Sequence, residues 1–274
     1  MAHSLVKEAE KILDKKYKVL NKGFVRLVDY MGSDDRIVQA ARVSYGAGTK
    51  TYREDQGLID YLLRNDHTSP FEQVVFTFHL KMPIFVARQW IRHRTARVNE
   101  ISGRYSVMKD EFYIPDAGDV SFQSDDNKQG RSTAKVPAAI VKQVRELLAL
   151  EQKAIYANYE QILSKNIARE LARINLPLSM YTEMYWQIDL HNLFHFLKLR
   201  LDAHAQKEIR DFAVVMHTIG STVCPKAFAS FDNHILNGQH FSSSEMKTVR
   251  AMIEGKQVGL DGRALERLKQ KIGI

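Results

Sequence analysis

The chain has 274 residues, 45% of them hydrophobic and 26% charged, which is the balance of a soluble globular protein able to bury a substantial core. No apolar run approaches the roughly 18 residues that a bilayer span needs, and the first residues lack the apolar core of a signal peptide. One Cys excludes an intramolecular disulfide and a multi-thiolate metal site, so a cytoplasmic protein is expected, and its net charge of +8 suits nucleic acid or a phosphorylated small substrate.

Residues 4–16 read as a short polar helix. Residues 23–30 alternate apolar and polar, as a half-buried strand does. Ser33, Asp34 and Asp35 look like a helix start, with its body over 36–43. The loop at 44–50 holds Gly48-Thr49-Lys50, which is not the Gly-Lys-Thr order of a phosphate-binding P-loop. Leu58, Ile59, Leu62 and Leu63 give 55–64 a helical spacing. Residues 67–72 are a polar loop, for which turn chemistry is the plain explanation. Residues 74–80, rich in Val, Phe and Thr, read as a strand.

Pro83 suits the first turn of a helix, where its missing N–H costs nothing. In such a helix Arg88, Gln89, Arg92 and His93 share a face. Residues 92–102 then pack three Arg, one His and one Glu into eleven positions. Arg grips a phosphate through two parallel bonds, so this cationic stretch beside an apolar anchor suits an anion with several acceptor oxygens. A solvated basic helix end is the plainer alternative.

Further on, 111–115 reads as a short strand and 116–135 as a polar loop. Pro137 opens a long helix to about 165. A shorter helix over 167–174 carries Arg169 and Arg173. Residues 178–188 have the Tyr and Trp content of a strand. Asp189 is a candidate N-cap for a helix through 201, followed by helix over 203–223. The last forty residues hold a capping-box pattern, Ser242 to Glu245, and a basic end. Long helices interleaved with few short strands indicate an α+β domain.

His191 and His195 stand one helical turn apart, a spacing that can hold zinc. Asn192 stands where metalloproteases have Glu, and only His67 or His204 offers a third ligand. A polar face lining a ligand cleft is the preferred reading, with Arg200 further along. Cys224 has no local cation to depress its pKa and reads as a small core residue. Ser102 has no assured general base, so it is poorly placed as a nucleophile. No Gly-x-Gly-x-x-Gly follows a strand, so a dinucleotide would bind outside a Rossmann fold.

Arg92-His93-Arg94, seven residues, then Ser102-Gly103-Arg104-Tyr105, all preceded by Phe85-Val86-Ala87-Arg88-Gln89-Trp90, resembles the signature of the flavin-dependent thymidylate synthases. The resemblance runs over about residues 17–235, between a helical leader at 1–16 and a basic, helical tail at 236–274. It implies one catalytic domain with a small, mainly antiparallel sheet and long helices. It also implies a homotetramer with shared active sites. Such an enzyme would use FAD, reduced by NADPH, to pass a one-carbon unit from methylenetetrahydrofolate to dUMP. The flavin carries the difficult chemistry and the protein supplies positioning and electrostatics.

By the same resemblance, Ser44, Ser69, Glu72, Arg92, His93, Arg94, Glu100, Asp189, His191 and His195 would meet FAD. Gln89, Arg92, Glu100, Ser102, Gly103, Arg104, Arg173 and Arg200 would meet dUMP. Arg200 would favour the N3-ionised pyrimidine, and Ser102 would position the substrate. Asp189 replaces a frequent Asn of the family and His191 a frequent Arg, which would weaken their hold on an anion. Two other classes stay open. A nucleic-acid-binding module would spread basic residues over a groove, whereas here they interleave with apolar anchors and a Glu. A flavin enzyme that methylates uracil in RNA would show a steep salt dependence. Free dUMP, without nucleic acid or membrane, is the expected partner.

Overall fold

The computed structural model describes residues 5–43, 55–125, 130–256 and 259–274. It separates into two compact units, Met1–Ala229 and Ser230–Ile274. The first is α+β, as expected, and is built on five antiparallel strands in the order β1-β2-β3-β5-β4. The strands are β1 (Lys16–Val19), β2 (Gly23–Met31), β3 (Val75–Pro83), β4 (Arg97–Glu100) and β5 (Tyr181–Asp189). The helices of this unit are α1 (Lys7–Glu10), α2 (Asp34–Arg42), α3 (Asp55–Arg64), α4 (Ile84–Trp90), α5 (Ala138–Ser164), α6 (Arg169–Ala172), α7 (Leu190–Arg200) and α8 (Lys207–Val223), with α9 (Pro225–Phe231) at its end.

The period-2 pattern of β3 and β5 decides which sheet face is buried. Phe76, Phe78, Leu80 and Met82 of β3 point to one face with Met184, Trp186 and Ile188 of β5, and all are fully or nearly fully buried. An aromatic cluster continues this layer into the helices. Trp90 at the end of α4 meets Trp186 edge-on at 5.3 Å, Phe196 of α7 at 4.5 Å and Phe212 of α8 at 6.0 Å. Burying aromatics of this size holds α4 and α7 firmly, since each such side chain removes about 150–250 Å² from water. The opposite sheet face is polar, with His79 stacked on Tyr185 at 4.8 Å and bonded to Glu183 at 3.1 Å.

A smaller core of Met108, Phe112, Tyr159, Ala172 and Met180 packs α5 and α6 against the segment after β4. Its ends are fixed by Tyr159 Oη, which accepts from the Met108 N–H at 3.1 Å, and Tyr156, which donates to the Met108 carbonyl at 2.9 Å. Asp34 in α2 accepts from the N–H groups of Lys226 and Ala227 at 2.9 and 3.0 Å, which caps the start of α9.

Four expectations need correction. The polar helix at 4–16 is only α1, and the following Lys-Tyr-Lys-Val is edge strand β1, where exposed Lys residues are tolerated. The helix after Pro83 ends at Trp90, before Arg92 and His93; burial of Trp90 lets the chain turn there and continue into β4 rather than a loop. Residues 111–115 make only an isolated bridge, Phe112 with Met180. The helix expected from 203 begins at Lys207, after a turn at 201–205.

In the second unit, α10 (Ser243–Ile253) starts with the capping box read from sequence: Ser242 accepts from Glu245 N at 3.3 Å, and Glu245 accepts from Ser242 N at 2.7 Å. Lys271 of α11 (Gly262–Ile272) donates to Glu245 at 2.8 Å. No helix among the described residues is long and apolar enough to cross a membrane.

Candidate active site

The turn after α4 faces the C-terminal half of α7. Arg92, His93, Arg94 and Thr95 line a cleft of about 270 Å³ together with Ile188, Asn192, His195, Leu199 and Arg200. The helix presents Asn192, His195 and Leu199 by its three-to-four-residue repeat. Its start is fixed by Asp189, whose side chain accepts from the Asn192 N–H at 2.9 Å and from the Asn192 amide at 2.8 and 3.0 Å. Asp189 is therefore the N-cap foreseen, and both of its oxygens are committed to Asn192.

Arg200 ties the two walls together. Its Nε donates to His93 Nε2 at 3.0 Å, and its Nη2 reaches the Gln89 carbonyl at 3.4 Å. Burial lowers the His93 pKa to about 4, assisted by the Arg200 and His195 charges. His93 is thus neutral at pH 7. An Arg can only donate, so Nε2 must accept and the imidazole proton sits on Nδ1. Burial also lowers the Arg200 pKa, though a guanidinium stays charged. Among the described residues no carboxylate lines the cleft, and Arg92 and Arg94 have no ion-pair partner. Uncompensated guanidinium groups around a neutral imidazole make a cleft for an anion.

A second group forms where β4 ends. Thr182 of β5 donates to Glu100 at 2.5 Å. Ser102 Oγ accepts from the Arg104 N–H at 3.3 Å, and the Ser102 carbonyl accepts from Tyr105 and Ser106. Gly103 lets Arg173 pack closely: a Cβ there would lie 3.0 Å from Cδ of Arg173. Arg104 pairs with Glu170 of α6 at 2.9 Å, and Arg169 donates to the Tyr105 carbonyl at 3.0 Å. The small core described above is what brings α6 to this loop.

The residues named from sequence therefore divide. Arg92, His93, Arg94, His195 and Arg200 meet at the cleft. Glu100, Ser102, Gly103, Arg104 and Arg173 gather at the far end of β4, whose four residues span about 13 Å. The anion-binding groups expected over 92–102 therefore fall into two groups, one at each end of β4. Gln89 is on α4, and its side chain donates to Gln206 at the start of α8. Ser69 and Glu72 lie on the turn before β3, which packs on α7 through Phe71 and Phe194 at 6.1 Å. His191 is not among the residues lining the cleft. Ser44 lies outside the described residues, as does the loop read over 44–50.

Sequence reasoning missed Asn192 and Thr95 in the cleft, and Thr182, Glu170 and Gln206 behind the named residues. Asn192 was signalled by its place one turn before His195. Thr95 directly follows Arg94, while Thr182, Glu170 and Gln206 are partners across long sequence separations. Cys224 is fully buried, and burial pushes its thiol pKa well up, with the Asp34 charge adding to the effect. It is the core residue the sequence suggested. Among the described residues no group of three His, Cys, Asp or Glu side chains gathers around a metal position.

Comparison with known proteins shows which family the chain resembles. A family model described as "Thymidylate synthase complementing protein" matches residues 26–226, and one described as "Thymidylate synthase ThyX C-terminal domain" matches 240–273. The flavin-dependent thymidylate synthase of Treponema denticola is 66% identical over 260 residues, covering 95% of this chain and 98% of its own. That of Thermus thermophilus is 52% identical over 261 residues, covering 93% and 94%. Among solved structures, the UMP/dUMP methylase PolB from Streptomyces cacaoi, bound with 5-Br UMP, superposes with a TM-score of 0.71 at 32% identity. The match covers 80% of this chain and 98% of that one.

Proposed function

The chain belongs to the flavin-dependent thymidylate synthase family, and we propose that it methylates dUMP to dTMP in the cytoplasm, with methylenetetrahydrofolate as one-carbon donor, FAD as redox cofactor and NADPH as reductant. The observation that carries this reading is the cleft in which Arg92, Arg94 and Arg200 surround His93 with no carboxylate among the described lining residues. That donor set fits the diphosphate of a flavin dinucleotide, because paired N–H donors on a fixed fork match phosphate oxygens. When bound, the flavin supplies the redox chemistry that no side chain here can perform.

The chain's own groups have narrower tasks. Arg92 and Arg94 neutralise phosphate. Arg200, fixed through Nε by His93, keeps its charge and stabilises negative charge developing on the pyrimidine. Neutral His93 keeps Nδ1–H as a donor. At the second subsite Arg104 and Arg173 hold the nucleotide anion, and Ser102 and Glu100 orient the sugar and base. Ser69, Glu72, His191, His195, Asp189 and Ser44 belong to the proposed cofactor contacts by resemblance. Asp189 would act there through the helix it caps.

Ligand cavities commonly run from about 300 to 1,000 Å³, so a cleft of about 270 Å³ holds only part of a dinucleotide. A second chain would complete it, which supports a homotetramer with shared active sites. The 27-residue α5, with only Gln152 and Tyr159 buried and with Leu147 and Leu150 exposed, supports assembly as well.

The test is direct. Purified protein should be yellow, release FAD on denaturation, and form dTMP only when dUMP, methylenetetrahydrofolate and NADPH are all supplied. A colourless protein that takes up no FAD, or dTMP formation independent of the folate, would overturn the reading.

A further inference from the structure

Gln206, between α7 and α8, occupies the N-cap position of α8, yet its side chain caps nothing. Its amide Nε2 instead donates to Glu208 Oε2 at 2.9 Å, and its Oε1 accepts from Gln89 Nε2. Glu208 is 2% exposed and is bonded on its other oxygen to Arg131 and to the Tyr113 hydroxyl, the latter at 2.9 Å. Burial opposes its charge, but the bonds from Arg131 and Gln206 hold its pKa below the ordinary carboxylate value. The buried side chain is therefore an ionised acceptor.

That fixes the direction of the Gln206 and Gln89 side-chain amides. A carboxylate accepts only, so the NH2 end of Gln206 must face Glu208. The carbonyl end of Gln206 then faces Gln89 and can accept only from the NH2 end of that amide. Gln89 is left with Oε1 outward, and this oxygen has no partner among the described residues. The Gln89 main chain is already at the cleft, where its carbonyl receives Arg200 Nη2.

We infer that Gln206, anchored by the buried Glu208–Arg131 pair, is a positioning residue that turns the Gln89 amide so that its oxygen faces the nucleotide as a hydrogen-bond acceptor. The inference rests on the proposed function and on the family resemblance by which Gln89 would meet dUMP. It adds the reason why Gln89 recognises a donor, such as a sugar hydroxyl or a base N–H, rather than an acceptor. Without Gln206 the amide can rotate by half a turn and present NH2 instead, so the correct orientation becomes one of two.

A double-mutant cycle on the FAD-loaded enzyme tests this, with dUMP titrated into wild type, Gln206→Leu, Gln89→Leu and the double variant. Gln206→Leu should weaken dUMP binding about three- to tenfold, with FAD content unchanged and the melting temperature lowered only by the loss of one donor to Glu208. The double variant should bind no worse than Gln89→Leu alone, because Gln206 acts only through Gln89. A merely structural role would instead lower FAD retention and add to the Gln89 effect. Wild-type affinity in Gln206→Leu, or additive losses in the double variant, would overturn the inference while leaving the function intact. A wild type that binds no dUMP would overturn both.

Discussion

Arg200→Lys separates charge from geometry at the cleft. Lysine keeps the positive charge but replaces the planar fork with one ammonium on a flexible stem. The wild-type side chain holds His93 through Nε at 3.0 Å, while its contact with the Gln89 carbonyl, at 3.4 Å, is at the limit of a useful bond. The expected loss is therefore that of one charge-assisted hydrogen bond plus its orienting effect, about 1.5–3 kcal/mol. At about 1.4 kcal/mol per factor of ten, kcat/KM for dTMP formation should fall roughly tenfold to 150-fold. FAD should remain bound, because Arg92 and Arg94 are untouched. Steady-state rates over a dUMP series, with FAD absorbance recorded on the same samples, give the answer. A kcat/KM within about twofold of wild type would show that charge alone suffices, and that the orientation set by His93 has no part in the reaction.

Other residues make separable claims. Arg104→Ala and Arg173→Ala should each weaken dUMP binding by about 1.5–3 kcal/mol with FAD retained; unchanged affinity in both would remove the second subsite from the nucleotide. Cys224→Ser should keep nearly full activity while losing about 1–3 kcal/mol of stability, since a hydroxyl replaces a fully buried thiol; a folded but inactive variant would put the chemistry on sulfur. Ser102→Ala should retain measurable turnover in single-turnover assays, and total loss with normal dUMP binding would make Ser102 a nucleophile. His93 should stay neutral as pH falls until about 4, whereas in the unfolded chain it protonates near about 6.5. The unfolded state thus binds more protons between those values, so His93 makes stability fall on acidification through that window. NMR titration of the imidazole checks this, and a midpoint near the unfolded value would refute the burial argument.

Local signals were legible wherever a residue acts on its near neighbours. Asp189 caps Asn192 three positions on, Ser242 and Glu245 form their box, and α3 spans Asp55–Arg64 as its spacing indicated. The edge strands were not, because β1 and β4 are four residues each, and β4 is exposed throughout; only pairing with β2 and β5 makes them strands. The site shows the same divide. The motif around Arg92 supplies one wall of the cleft, but His93 and Arg200 are 107 positions apart, and Gln89 and Gln206 are 117 apart. Spacing alone says nothing about such pairs. The family resemblance named Arg200 and Gln89, yet only packing of α7 and α8 on the aromatic cluster shows what holds them. The strand between the two subsites was invisible for the same reason.

The central position of β3 has a consequence for biogenesis. Its register on one side is with β2, a short way back, and on the other with β5, Val75 facing Asp189. During synthesis at about 5–20 residues per second, the about one hundred residues between them take roughly 5–20 s to emerge. Through that interval β3 offers an open hydrogen-bonding edge, with Phe76, Phe78 and Leu80 not yet covered. An open apolar edge is a template for pairing with another chain. A ribosome-bound intermediate stalled before Tyr181 is therefore the form of this protein most in need of a holdase, and pairing of β5 is the event that ends the exposure.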